Sequence, residues 1–144
     1  MRVISDKKLL RSYIEKYNLR HIFDDALIKD MELFCFDKGE IIFNKGIDLK
    51  YMYFLVSGKI KIYMLQDNGK LLLIRLNRPL NVLGDIELLT DYQTQCHVES
   101  LDESLCIAIK MSILRETACK DAKFLQYIVK NLSSKLYTIS NSAT

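Results

Sequence analysis

No stretch of the 144-residue chain is apolar for the roughly 18 to 20 residues that a bilayer-spanning helix requires, which argues against a helical membrane anchor. There is no secretory signal, and the four cysteines, Cys35, Cys96, Cys106 and Cys119, show no CxxC spacing. Reduced thiols in a cytoplasmic protein are the expectation. Internal repeats, low-complexity tracts and interdomain linkers are missing, so one domain with one core is expected. The signatures of common catalytic sites are missing too: no GxSxG elbow, no HExxH pair and no P-loop. Asp85, Glu87 and Asp91 cluster in sequence but have no partnering base, and the chain reads as a non-enzyme. A net charge of +3, spread along the chain, gives no concentrated basic patch for nucleic acid.

What is present divides by hydrophobic period. Ser5-Asp6 offers a helix cap ahead of Leu9, Leu10, Tyr13, Ile14 and Tyr17 at helical spacing, and a short helix is expected through residues 24–28. From Met31 to Ile109 the period becomes two, punctuated by glycine about every ten residues, which is the pattern of a β-sandwich or barrel. Asp67-Asn68-Gly69 is a hairpin signal. Tyr51 to Val56 and Leu71 to Leu76 are apolar at both parities, and both are expected to be covered on two sides. Pro79 falls in a loop, where no ladder hydrogen bond is lost. Met111 to Ala118 reads as a short helix. Asp121 then opens a longer one, with Phe124, Leu125, Ile128, Val129, Leu132, Leu136 and Ile139 on one stripe.

At the centre lies Val82-Leu83-Gly84-Asp85-Ile86-Glu87-Leu88-Leu89-Thr90, in which an extended segment turns on a glycine and starts a helical turn. Gly84 permits φ > 0 or close approach of a ligand, and the first N–H groups of the turn, from Ile86 onward, suit an anion. The order Phe36-Asp37-Lys38-Gly39-Glu40, Phe43-Asn44-Lys45-Gly46, Tyr53 to Ile62 with its Ser57-Gly58, Asp67-Asn68-Gly69 and Gly84-Asp85 resembles the cyclic nucleotide-binding domain of Crp/Fnr-type bacterial regulators, from about Met31 to Ser140. The resemblance implies a mainly β fold, a double-stranded β-helix (jelly-roll) barrel with N-terminal helices and a long C-terminal dimerisation helix. Residues 1–120 would form the effector domain and residues 121–144 the dimerisation helix and the start of a hinge. The DNA-binding helix-turn-helix domain of such regulators would lie outside this chain.

By the same resemblance the ligand-binding set is Gly84, Asp85, Ile86, Glu87, Gln95, Cys96 and His97. The family's Gly-Glu pair, which holds a ribose hydroxyl, becomes Gly84-Asp85, and the arginine that pairs with the cyclic phosphate becomes Gln95, followed by Cys96. An amide supplies neither the charge nor the fork of a guanidinium, so no cofactor is expected and a cyclic nucleotide is disfavoured. Leu80 and His97 also depart from the family pattern, and His97 could replace the missing cation or join Cys96 or His21 at a metal. Strand alternation sets Gln95, His97 and Glu99 on one face and Cys96 and Val98 on the other. A cupin-like metal enzyme would need more strand histidines than His97.

The expected partner is a second copy, through a seam of Leu125, Ile128, Leu132, Leu136 and Ile139 interrupted by Lys135. The expected function is effector sensing and dimerisation in a transcription regulator with a degenerate pocket. The alternatives are a stand-alone interaction module with no bound effector, or a redox or metal sensor using Cys96 and His97.

Overall fold

The structure, a computed structural model, describes residues 1–142, with side chains for all of these except Leu73 and residues 139–142. The strands in chain order are β1 (Arg2–Ile4), β2 (Glu32–Phe36), β3 (Ile41–Phe43), β4 (Tyr51–Ser57), β5 (Ile60–Leu65), β6 (Leu71–Asn77), β7 (Asn81–Leu83), β8 (His97–Ser100) and β9 (Ser104–Lys110). They build two antiparallel sheets, ordered β1-β2-β9-β4-β7 and β3-β8-β5-β6, which face each other as a jelly roll. The helices are α1 (Lys7–Lys16), α2 (Asp25–Ile28), α3 (Asp85–Leu89), α4 (Met111–Glu116) and α5 (Ala122–Ser142). No described helix is long and apolar enough to cross a membrane.

Local chemistry accounts for most of the boundaries. Asp6 caps α1 by accepting from Leu9 N–H at 3.0 Å, and Asp24 caps α2 by accepting from Leu27 N–H at 2.9 Å. Asn68 steadies the β5–β6 hairpin by accepting from Lys70 N–H at 3.0 Å, beside Gly69 at φ +81°. β9 enters last yet lies at the centre of its sheet, with Ile107 opposite Leu33 on one side and Phe54 on the other. Residues 52–56 of β4 are all buried, as expected of a strand covered on both faces.

β6 corrects the matching expectation. It is an edge strand, and Leu71, Leu72 and Leu76 are 54%, 47% and 50% exposed. An apolar run does not reveal whether a neighbouring strand or sheet will cover it.

One core serves barrel and helices together. The ring of Phe23, following α1, meets Phe54 of β4 edge-on at 5.7 Å and Phe124 of α5 at 5.3 Å. Phe124 and Ile128 are fully buried, so the first half of α5 is docked on the domain. This corrects the proposed seam: Ile128 belongs to the core. Val129, 58% exposed, takes its place on the outward stripe, which now reads Leu125, Val129, Leu132, Leu136. Leu125 and Leu132 are partly buried, and Leu136 is 65% exposed. Ile139 lies outside the described side chains.

Candidate functional site

β7 delivers the chain into Gly84, whose φ of +96° and crowded surroundings both require glycine. A Cβ there would sit 2.9 Å from Met111 Cε and 3.0 Å from Leu49 Cδ2. α3 follows, held at its far end by Arg115, which donates to the Glu87 carbonyl at 3.0 Å and the Leu88 carbonyl at 3.4 Å.

Asp85 opens α3 and is buried. Its Oδ1 accepts from Ile86 N–H at 3.0 Å, so the first N–H group expected to face a ligand is already engaged. Its Oδ2 accepts from Asn131 Nδ2 and Lys135 Nζ, each at 2.8 Å. Lys135 Nζ also donates to the Val82 carbonyl at 2.7 Å. Asn131 and Lys135 are one turn apart on α5 and reach the central turn together.

Behind this turn is a cavity of about 170 Å³. Phe43, Ile62, Val82 and Val98 supply apolar wall, residues 84–87 and 94–96 line another side, and Lys135 closes it. Thr94 is buried in a structural role: its hydroxyl donates to the Asn44 carbonyl at 2.6 Å and accepts from Ile47 N–H at 3.1 Å. Glu87 Oε2 is buried without a hydrogen-bond partner among the described residues. Burial, and then the charge of Asp85, push the Glu87 carboxyl above its ordinary value, against a backbone hydrogen bond and Lys135. Burial and the nearby Glu87 likewise push the Cys96 thiol up, so it is a poor nucleophile at neutral pH. Among the described residues, the cavity lining thus holds two carboxyl groups, Asp85 and Glu87, and one ammonium, Lys135.

Residues 33–120 match the cyclic nucleotide-binding domain family. The chain belongs to this family. It is similar to the regulatory protein YeiL of Escherichia coli O157:H7, with 28% identity over 119 residues, covering 80% of this chain and 54% of that protein. It is also similar to the anaerobic regulatory protein of Haemophilus influenzae, with 26% identity over 99 residues, 69% of this chain and 38% of that protein. The chain therefore spans about half or less of the length of these relatives. In fold it is similar to the sensor domain of the transcriptional regulator DNR from Pseudomonas aeruginosa, with a TM-score of 0.73, 16% identity, and coverage of 96% of this chain and 95% of that one.

Within this cyclic nucleotide-binding domain, the residues singled out in the sequence separate. Gly84, Asp85, Ile86, Glu87, Gln95 and Cys96 all border the cavity. Gln95 is exposed and its Nε2 donates to the Gln93 carbonyl at 3.2 Å; no arginine lines the cavity among the described residues. His97 is a correction. Cys96 and Val98 line the cavity, whereas the His97 ring stacks outside it on Tyr63 at 5.2 Å beside Asn44; Gln95, which precedes β8, does not share the His97 face as expected but borders the cavity too. His97 therefore supplies no cation to the cavity, which Cys96 borders and His97 does not.

His21 lies elsewhere, on an apolar groove with Ile22, Leu125 and Val129. The one group of metal-type donors among the described residues is Cys35, Asp37 and Glu103. Arg2 Nη2 already sits among them, 3.0 Å from Cys35 Sγ, 3.2 Å from Asp37 and 3.7 Å from Glu103. Asn131 and Lys135 were missed as site residues because nothing local in the sequence links them to Asp85, about fifty positions away.

Proposed function

We propose that the chain is the effector-sensing and dimerising domain of a cytoplasmic Crp/Fnr-type transcription regulator, with a cavity that has lost the cyclic-nucleotide site. One observation supports this above the others: both oxygens of Asp85, which correspond to the ribose acceptor, are already engaged within the chain. The position of the phosphate-binding guanidinium is taken by Gln95, bonded to its own loop. A volume of about 170 Å³ is also below the roughly 300 to 1,000 Å³ of pockets that enclose drug-sized ligands.

Removing one partner of a buried charge pair costs roughly 2 to 5 kcal/mol, or about a 30- to 5,000-fold loss of affinity. Isothermal calorimetry of the purified chain with cyclic AMP and cyclic GMP is therefore expected to find no low-micromolar site, and finding one overturns the reading.

The second copy would pack on Leu125, Val129, Leu132 and Leu136, with Ile139 continuing the same spacing. DNA would be reached through a further helix-turn-helix domain. Residues 1–144 alone are expected to give no sequence-specific footprint at physiological salt. No catalytic step is assigned to any residue.

A further inference from the structure

The buried anchors of α5 end early. Phe124 and Ile128 are fully buried, whereas beyond them Leu132 is only partly covered and Leu136 and Tyr137 are 65% and 69% exposed. The second half of the helix is joined to the central turn by polar bonds from two residues. Asn131 and Lys135 donate to Asp85 Oδ2, and Lys135 donates again to the Val82 carbonyl. Helix position and cavity chemistry therefore depend on the same oxygen atom.

We propose that Lys135 is a built-in occupant of the effector cavity: its ammonium takes the place of a ligand's donor group on Asp85 and ties the second half of α5 to the central turn. A ligand that claims Asp85 must displace that tie, and so releases the outward stripe of the helix. This rests on reading the cavity as an effector site.

The same geometry selects the ligand's chemistry. An anion drawn to Lys135 would leave Asp85 buried without its counter-charge, beside a second carboxylate, Glu87, whose Oε2 has no partner among the described residues. A small molecule with an ammonium group or adjacent hydroxyls satisfies both acceptors. Its apolar part would meet Phe43, Ile62 and Val98. Binding and helix docking then compete, so the ligand loosens α5.

Hydrogen exchange on the whole chain tests the tie without any natural effector. Lys135→Met keeps the stem and removes the ammonium. Amides 131–138 are expected to exchange at least about tenfold faster, while those of β4 and β9 stay within about twofold. Lys135→Arg should remain close to the parent chain. Asp85→Asn should match Lys135→Met, and the double variant should exchange no faster than either single one. Unchanged exchange over 131–138 overturns the proposal. So does acceleration spread equally over β4 and β9, since Lys135 would then support the whole barrel.

Occupancy is tested separately in Lys135→Ala, where n-propylammonium chloride is titrated against potassium chloride at equal ionic strength. A saturable rise in melting temperature is expected in that variant. None is expected in the parent chain or in Lys135→Ala/Asp85→Asn. A missing rise in Lys135→Ala, or an equal rise in all three, overturns the occupancy. Failure of either experiment leaves the effector reading standing, and low-micromolar binding of a cyclic nucleotide would defeat the proposed loss of the cyclic-nucleotide site without touching the exchange result.

Discussion

Ile128→Ala separates the two roles that the C-terminal helix combines. Ile128 is fully buried with Phe124 in the core shared by barrel and helix, and truncating it removes its branched stem beyond Cβ. At roughly 0.8 kcal/mol per buried methylene the lost transfer energy is about 2.4 kcal/mol, and the cavity left behind brings the total to about 3 to 4 kcal/mol. For a chain of this length that corresponds to a fall of about 10 °C in melting temperature. Urea and thermal denaturation at two protein concentrations tenfold apart provide the assay. Because the side chain packs within one copy, the loss is expected to be the same at both concentrations. Leu136→Ala, at a position 65% exposed, is expected to stay within about 0.5 kcal/mol in the monomer. A loss below about 1 kcal/mol for Ile128→Ala, or one that appears only at high concentration, would refute the assignment of this residue to the core.

Leu136→Glu places a charge on the outward stripe and is expected to shift a dimer to monomer in sedimentation velocity; an unchanged sedimentation coefficient refutes the stripe as the dimer contact. Gly84→Ala sets a Cβ against Met111 and Leu49 at positive φ, and denaturant titration should register a loss of roughly 1 to 3 kcal/mol. Glu87→Gln probes pH dependence. The raised pKa of Glu87 means that the fold prefers its protonated form, so stability falls as pH rises from the ordinary glutamate value through the raised one. The glutamine variant should lose that slope and gain on the parent chain as pH increases; parallel profiles would count against it. At neutral pH, Cys106, with its thiol pushed up to about 12 by burial, should resist a thiol reagent until the chain unfolds.

The features that the sequence displayed well are those fixed by local chemistry. Gly84 had to be glycine at a positive φ, and Asp67-Asn68-Gly69 had to be a tight hairpin. The features it hid depend on what packs against what. Spacings 125, 128, 132 and 125, 129, 132 both describe an apolar helix face, and only the core around Phe23 and Phe124 decides that Ile128 turns inward. Lys135 looked like an interruption in an apolar seam because its partner, Asp85, is distant in sequence. Alternation separates His97 and Glu99 from Val98 within β8 but did not say which face met the cavity, and it does not extend to Gln95, which precedes the strand. The runs in β4 and β6 both carry apolar residues at both parities, yet one is enclosed and the other forms an edge.

The central position of β9 also bears on how the chain is made. During synthesis the β5–β6 hairpin can close as soon as it emerges, since its partners are near neighbours in sequence. β2 and β4 can pair on one edge only, with the three-residue strands β1 and β7, because the strand that joins them, Ser104–Lys110, leaves the ribosome only after most of the chain. Until then both expose hydrogen-bonding edges and apolar side chains, a state open to chaperones and to premature association. A nascent chain arrested before Ser104 would hold the material of the larger sheet without the strand that joins its two halves.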